Sequence, residues 1–363
     1  MVRAALAAAC LVLAAATGAV AAEPGWPNFH EGDFVVRDFA FADGGRLPLV
    51  KLHYRTLGTA QHNAAGEIVN AVLMLQGDRG SGADWLKPAE ADELFKPDQP
   101  LDAERYFIIL PDALGRGGSS KPSDGLHAKF PHYRYRDMVA LTHRLVTDGL
   151  TVAHIRLIVG ASLGCRQAFL WAEQYPDLMD GVVGLACQPV ASGGRAWILR
   201  HTAAEAIRHD PDWHGGDYAK PPRHWLWSAA ALALLPESPA RIQEEAPNGA
   251  AAERLYGKAL ARLAESDAND TLYRLEAGAD YNPEPGLGNI KARLLLINTA
   301  DDFADPPELP ASERAMQRIA NGQSVVIPAG ARTHGHLTYR YAAVWKPYLM
   351  QFMKTLPPNR DAK

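Results

Sequence analysis

The segment IRLIVGASLGCRQAFLW, at residues 155–171, constrains the fold more than any other part of the chain. It begins as an apolar run typical of a buried strand, and beyond Ser162 its apolar residues recur with helical spacing. Gly160 and Gly164 lie two positions to either side of Ser162. Glycines there allow a sharp turn that side chains would obstruct. The pattern predicts a strand, a tight turn that exposes Ser162, and a helix; an ordinary turn that happens to contain a serine is the alternative.

Further apolar segments along the chain are typical of strands. They lie at residues 33–41, 49–58, 71–77, 106–112, 181–189, 293–302 and 324–330. Several of them alternate with helical patterns, which predicts an α/β fold with a mostly parallel sheet covered by helices on both faces. Ligands bind beyond the carboxyl ends of the strands in such sheets. Ser162, Asp302 and the histidines that follow the last apolar segment all fall at such ends.

The pattern changes between residues 190 and 288, where strand-like segments give way to Ala-rich helical ones. We therefore expect core segments at 23–189 and 289–363, separated by a helical cap at 190–288. Among the cap aromatics, Trp197, Trp225 and Trp227 are candidates for an apolar pocket wall. Simple packing is the alternative role for such side chains.

The first 22 residues are typical of a secretory signal peptide. Arg3 precedes an apolar core over residues 4–20, and small residues offer a cleavage site near Ala21 or Ala22. A membrane anchor is the alternative, but no basic residues stop the apolar run. We expect an exported protein, periplasmic or secreted, without stable membrane insertion.

The charge balance argues against nucleic-acid binding. The chain has 37 Lys and Arg against 41 Asp and Glu, and removal of Arg3 with the leader leaves 36 against 41, a net charge of −5. A mildly acidic chain without a basic run is not expected to bind nucleic acid.

Cys165 and Cys187 remain after cleavage. Two cysteines make no disulfide framework, and the sequence leaves open both their bonding and the oligomeric state.

A serine hydroxyl becomes a good nucleophile only beside a general base, which in turn needs a carboxylate to orient it. Ser162, Asp302 and His336 lie at strand ends and occur in the chain order serine, acid, histidine that accompanies a serine on a strand–turn–helix of this kind. Asp301 and Asp305 on the same loop, and His334, are the alternatives.

A metal site is a further alternative, raised by the paired histidines and by the segment HDPDWHGGD at 209–217. No third ligand is placed well for one, so we predict neither a metal nor another cofactor.

Acyl transfer also needs N–H donors for the oxyanion. The backbone amide of Leu163 is one candidate, and that of Asp78, or of Gly77 beside it, is the second. The neighbouring Arg79 is a candidate for attracting an anionic substrate. A plain glycine-rich turn is the alternative for this loop.

These motifs together resemble the homoserine O-acetyltransferase-like branch of the α/β-hydrolases. The resemblance is carried by LPLVKLHYRTLGT, LGRGGSSKPS, IVGASLGCRQAFLWAEQYPDLMD, AIRHDPDWHGGDY, NTADDFADPPEL and the Gly-His pair at 335–336. It implies an α/β-hydrolase fold with a helical cap, and it selects Asp302 as the acid and His336 as the base.

The chain also departs from that branch. Transferases of the family carry an aspartate directly after the histidine, to meet the amine of homoserine, and here that residue is Leu337. The loop that begins His-Gly-Thr in related hydrolases here reads Gln76-Gly77-Asp78-Arg79, and the family's substrate-arginine segment is missing after GGDY. We therefore expect a serine hydrolase that cleaves a small-molecule ester, rather than an amide. The alternatives are an acyl-CoA-dependent O-acyltransferase and a non-catalytic binding protein.

Overall fold

The computed structural model describes residues 25–358, so the predicted signal peptide lies outside the described residues. Within that range the chain forms one eight-stranded sheet. Its strands are β1 (His30–Ala40), β2 (Arg46–Leu57), β3 (Ala71–Leu75), β4 (Phe107–Pro111), β5 (Ile155–Ala161), β6 (Met179–Leu185), β7 (Arg293–Thr299) and β8 (Gly322–Ile327). Their spatial order is β1-β2-β4-β3-β5-β6-β7-β8. β2 pairs antiparallel with β1 and β4, and the other neighbours are parallel, which confirms the predicted mostly parallel sheet.

Ten α-helices accompany the sheet in the described part of the chain. They are α1 (Pro88–Leu94), α2 (Tyr135–Arg144), α3 (Leu163–Gln174), α4 (Gly194–Arg208), α5 (Trp225–Leu234), α6 (Pro239–Glu245), α7 (Gly249–Ala264), α8 (Ala268–Glu276), α9 (Pro310–Met316) and α10 (Ala342–Met353). Short 3₁₀ helices lie at Gly82–Leu86, Pro122–Asp124, His127–Lys129, His214–Gly216, Glu284–Asn289 and Leu337–Arg340, and a π-helical turn at Leu145–Gly149 follows α2. None of the helices within residues 25–358 is long and apolar enough to cross a membrane.

The central strands are apolar throughout because helices cover both faces of the sheet. Alternate side chains of β3 belong to two different cores: Leu73 and Leu75 pack on one face, and Val72 and Met74 on the other. This follows from the two-residue period of a strand. α3 packs on the first face, and α10 packs on the second.

Helices α4 to α8 all lie between β6 and β7 in sequence. No strand interrupts residues 190–288 in the described chain, in agreement with the composition of that segment. α4 contacts α5 and α8, and α5 contacts α7. The helices therefore pack on one another above the strand ends.

Candidate active site

Ser162 lies between the last residue of β5 and the first residue of α3, in strained backbone geometry. Its φ of 51° and ψ of −108° are unusual for a residue with a side chain, and such a conformation costs about 1–3 kcal/mol. A Cβ on Gly160 would overlap the carbonyl of Gly164, and one on Gly164 would overlap the carbonyl of Leu75. The two glycines therefore permit the close approach of strand and helix that holds this turn.

Ser162, His336 and Asp302 form a continuous hydrogen-bonded chain. The Ser162 Oγ lies 2.7 Å from Nε2 of His336, and Nδ1 of His336 lies 2.9 Å from Oδ2 of Asp302. All three residues are buried, although they come from turns after β5, β7 and β8. The structure thus brings together the serine, acid and base that the sequence predicts.

The loop after β7 is held rigidly around Asp302. Oδ1 of Asp302 accepts hydrogen bonds from the backbone amides of Ala304 and Asp305, each at 2.8 Å. The Asp305 carboxylate accepts from the Arg166 guanidinium of α3 at 2.7 and 2.9 Å. Burial would raise the pKa of Asp305, but Arg166 and then His336 outweigh it and lower that pKa. The acid loop is therefore fixed to the helix that begins at the serine.

The charge around His336 favours its protonated form. Burial alone would lower the pKa of His336, but the adjacent Asp302 carboxylate outweighs burial and raises it. Asp305, whose carboxylate lies 3.8 Å from Nδ1, acts in the same direction. An imidazole in this setting can take a proton from Ser162 and hold it during a reaction.

The alternative acid and base have other partners. Asp301 accepts hydrogen bonds from the Thr333 hydroxyl at 2.8 Å and the Gly335 amide at 3.3 Å. His334 stacks on Tyr341 with ring centroids 3.9 Å apart. Both side chains support the turn that carries His336, and neither contacts Ser162.

The predicted oxyanion loop lies beside the start of α3. The Gly164 amide donates to the carbonyl of Gln76 at 3.0 Å, which places residues 76–78 next to the amide of Leu163. The Asp78 side chain forms ion pairs with Arg116 at 2.9 Å and Arg274 at 2.7 Å. Burial would raise the pKa of Asp78, and the two arginines outweigh it and lower that pKa. The sequence did not predict these ion pairs, and the one with Arg274 connects the loop to α8 of the helical region.

Ser162 and His336 open into a cleft of about 720 Å³. Its apolar wall comes from residues 232–236 and Leu337. Arg79 also lines the cleft, but its guanidinium donates to the carbonyls of Leu232 and Ala233 at 3.3 and 3.4 Å. Burial lowers the pKa of Arg79 to about 10. This arginine is therefore bound to the carboxyl end of α5.

The structure corrects the expectation that Trp197, Trp225 and Trp227 form the wall of the pocket. Trp225 is buried and donates its indole N–H to the carbonyl of Pro222 at 3.0 Å, whereas Trp227 is 63% exposed. Trp197 stacks on His201 and lines a separate, neighbouring cavity. None of the three lines the cleft: Trp197 lies on α4 beside the other cavity, and α5 lines the cleft with Leu232, Ala233 and Leu234. Composition alone could not indicate which face of a cap helix would be turned inward.

Cys165 and Cys187 are joined in a disulfide, with their Cα atoms 6.0 Å apart. Cys165 lies in the first turn of α3, three residues after Ser162, and Cys187 follows β6. The bond therefore connects the helix behind the serine to the segment that leads into the helical region.

The segment HDPDWHGGD contributes part of a small polar cluster. Asp210, Asp212 and His224 bring single ligand atoms within 4.8 Å of one another, whereas His209 and His214 do not take part. Asp210 accepts hydrogen bonds from the backbone amides of Asp212 and Trp225, each at 3.0 Å. These bonds account for the buried carboxylate as the cap of α5.

Comparison with known proteins decides the family. The alpha/beta hydrolase fold family matches residues 70–332. The chain belongs to the α/β-hydrolases. Within them, this α/β-hydrolase belongs to the homoserine O-acetyltransferase-like branch, as the sequence motifs predict. It is 30% identical over 312 residues to the homoserine O-acetyltransferase of Haemophilus influenzae, a match that covers 76% of this chain and 85% of that protein.

Two solved structures share the fold of this α/β-hydrolase. The homoserine O-acetyltransferase from Bacillus anthracis has a TM-score of 0.77 at 19% identity, covering 91% of this chain and 99% of its own. An acetylester hydrolase from Corynebacterium glutamicum has a TM-score of 0.75 at 21% identity, covering 90% and 96%. The chain is thus an enzyme of the α/β-hydrolase fold, and its similar proteins include both transferases and hydrolases.

Proposed function

We propose that this α/β-hydrolase cleaves a carboxylic ester through an acyl-serine intermediate. His336 Nε2 takes the Ser162 proton as Oγ attacks the ester carbonyl, and the Asp302 carboxylate stabilises the imidazolium that forms. We assign the backbone amides of Leu163 and Asp78 as the donors to the negative oxygen of the tetrahedral intermediate. The hydrogen-bonded chain Ser162–His336–Asp302 carries this proposal. It also argues against a purely binding role.

The second half of the reaction regenerates the serine. His336 gives its proton to the alkoxide oxygen, and the alcohol leaves while the acyl group stays on Ser162. His336 then takes a proton from water, whose oxygen attacks the acyl carbon. When this intermediate collapses, the carboxylic acid leaves and Oγ of Ser162 recovers its proton. Water enters and both products leave through the cleft.

Leu337 favours water over an amino alcohol as the second nucleophile. It follows His336 directly, and its amide donates to the carbonyls of His334 at 3.0 Å and Pro236 at 3.3 Å. Leu337, Leu235 and Pro236 line the cleft as apolar groups beside the base. The resemblance assigns this position in transferases to an aspartate that holds the substrate's amine, and Leu337 cannot form that ion pair.

Export of the enzyme is part of the same proposal. Residues 1–22 have the composition of a cleaved leader. The disulfide between Cys165 and Cys187 is of a kind that forms and persists in oxidising compartments. Acetyl-CoA is not expected there, which also favours hydrolysis. Transfer from acetyl-CoA is the second candidate, and the 30% identity to a homoserine O-acetyltransferase supports it.

Product analysis separates the two reactions. Residues 23–363 are incubated with para-nitrophenyl acetate alone, and then with acetyl-CoA and homoserine, and the products are identified by mass spectrometry. We expect acetate and para-nitrophenol without any acceptor, no increase in rate with homoserine, and no O-acetylhomoserine. Ser162→Ala is the control for uncatalysed hydrolysis. A dominant O-acetylhomoserine peak would establish the transferase instead.

A further inference from the structure

The catalytic cleft is rich in positive charge. Eight basic and five acidic side chains line it. The basic ones are Arg79, Arg116, Lys121, Arg200, Lys258, Arg262, Arg274 and Arg340, and the acidic ones are Asp78, Glu245, Glu265, Asp267 and Asp270. A surplus of one sign in a concave site raises the local concentration of oppositely charged ligands.

The more buried acids of the cleft already have partners. Asp78 is paired with Arg116 and Arg274. Both oxygens of Asp270 accept hydrogen bonds from Ser123, at 2.8 Å from its amide and 2.6 Å from its hydroxyl. Asp267 accepts from the Asp270 amide and the Tyr218 hydroxyl. These three carboxylates therefore already have partners, and none of them forms an ion pair with Arg200.

Arg200 on α4 differs from the paired arginines. Its guanidinium makes no ion pair and no hydrogen bond to any residue of the described range 25–358, although the residue is half-buried. It lines both the cleft that holds Ser162 and the adjoining cavity of about 330 Å³. Arg200 is also near enough to Asp78 and Asp305 to contribute to the lowered pKa of each. The cation thus faces the reaction centre from the helical region.

The other basic side chains of the adjoining cavity, apart from His201, lie close to Glu276. Arg208 forms an ion pair with the Glu276 carboxylate, and Arg134 donates to the Glu276 carbonyl at 3.1 Å. His132 lies 3.7 Å from the same carboxylate. The feature that remains at the junction of the two cavities is the uncompensated guanidinium of Arg200.

We infer that the substrate is an ester that carries a carboxylate, and that Arg200 binds this carboxylate. The inference rests on the proposed hydrolase function and names its substrate class. A guanidinium presents a planar fork of N–H donors that matches the two oxygens of a carboxylate. A half-buried cation without a partner loses hydration, and an anionic ligand compensates that loss. Arg200 would then orient the ester while Ser162 attacks it.

A pair of esters of equal size tests the inference. The substrates are para-acetoxybenzoate and its neutral analogue para-acetoxybenzamide, and kcat and KM are measured for both with the wild type, Arg200→Gln and Arg200→Lys. The ratio of kcat/KM for the anionic ester to that for the neutral ester should fall about tenfold or more in Arg200→Gln, mainly through KM. Arg200→Lys should restore part of that ratio because it keeps the charge.

Arg254→Gln is the matched control. It removes the same charge from α7, at an exposed residue that does not line the cleft, and should leave the ratio unchanged. Calorimetric binding of para-acetoxybenzoate to Ser162→Ala, with and without Arg200→Gln, measures the same contact without turnover.

An unchanged ratio and unchanged binding in Arg200→Gln would overturn the inference while neutral-ester cleavage still supported the hydrolase. An equal effect of Arg254→Gln would also overturn it, because the preference would then be a general field effect. Failure of the wild type to cleave either ester would instead reject the hydrolase function.

Discussion

The strand ends and the inserted helices of this α/β-hydrolase are built on different principles. Ser162, Asp302 and His336 are buried, and backbone contacts or hydrogen bonds hold each of them at the end of the sheet. Helices α4 to α8 instead carry Trp197, Ile198 and Trp227 exposed. Their side chains line the cleft both as apolar groups from α5 and as charged groups such as Arg200 and Arg274. The strand ends thus hold the groups to which we assign the chemistry, and the helices supply most of the wall of the cleft.

Loss of the nucleophile should give the largest effect. Ser162→Ala should lower turnover by about 10⁴-fold or more, because no acyl-enzyme can form. Its thermal unfolding should be nearly that of the wild type, since the side chain makes one hydrogen bond. A fluorophosphonate probe should label Ser162 in the wild type, as located by peptide mass spectrometry. Labelling at another serine would contradict the assignment.

The assigned acid and base each have a neighbour of the same residue type, Asp301 and His334, and these neighbours test the assignment. His336→Ala and Asp302→Asn should each lose about 10³–10⁴-fold in kcat, whereas His334→Ala and Asp301→Asn should lose far less. The latter two remove contacts that support the turn and leave the proton path intact. A dead His334→Ala enzyme with an active His336→Ala enzyme would show that the base has been misassigned.

The dependence of kcat/KM on pH tests the hydrogen bond between His336 and Asp302 in a second way. The protonated imidazole cannot accept a proton, so kcat/KM should fall as the pH drops through the pKa of His336. Since Asp302 raises that pKa, the fall should begin at a higher pH than for an ordinary histidine. In Asp302→Asn, the residual activity should fall at lower pH. A profile that stays unshifted in this variant would contradict the electrostatic role of Asp302.

A smaller effect is expected where the two regions meet. Arg274→Gln breaks the ion pair between α8 and the oxyanion loop and should lower kcat/KM about tenfold, while Arg116 still neutralises Asp78. Asp78→Asn leaves two arginines uncompensated and should also destabilise the fold. Urea unfolding and kinetics of both single variants and the double variant form a double-mutant cycle. Additive effects would show that the two side chains are not coupled.

The sheet and the three residues of the hydrogen-bonded chain could be predicted because their determinants are local. The glycines around Ser162 predict a sharp turn, and the apolar runs predict buried strands. Asp302 and His336 follow two such runs in the chain order of this fold, and the family resemblance selects them over Asp301, Asp305 and His334. The glycines and the apolar runs are visible within a short window of sequence, whereas the choice of acid and base needed the resemblance of the whole chain to a known family.

The partners of the ion pairs and the residues that line the cleft could not be predicted from such local patterns. Arg166 and Asp305 are far apart in sequence, as are Asp78 and Arg274, and nothing in either segment marks the partner. The orientation of α5 depends on its packing against α4 and α7, which hides Trp225 and exposes Trp227. Likewise, the bond between Cys165 and Cys187 depends on the distance between α3 and the end of β6.

The adjacency of β6 and β7 has a consequence for how the chain can vary. Leu185 pairs with Ile297, so the whole helical region leaves and re-enters the sheet at neighbouring strands. In polymer terms, the segment from the end of β6 to the start of β7 is a loop whose two ends are held at adjacent strands. The entropy of closing a flexible loop grows only with the logarithm of its length, so that doubling it costs about 0.6 kcal/mol. Chain closure therefore sets little limit on the length of the helical region, and Ser162, Asp302 and His336 all lie outside it, so that its length can change without moving them along the sheet.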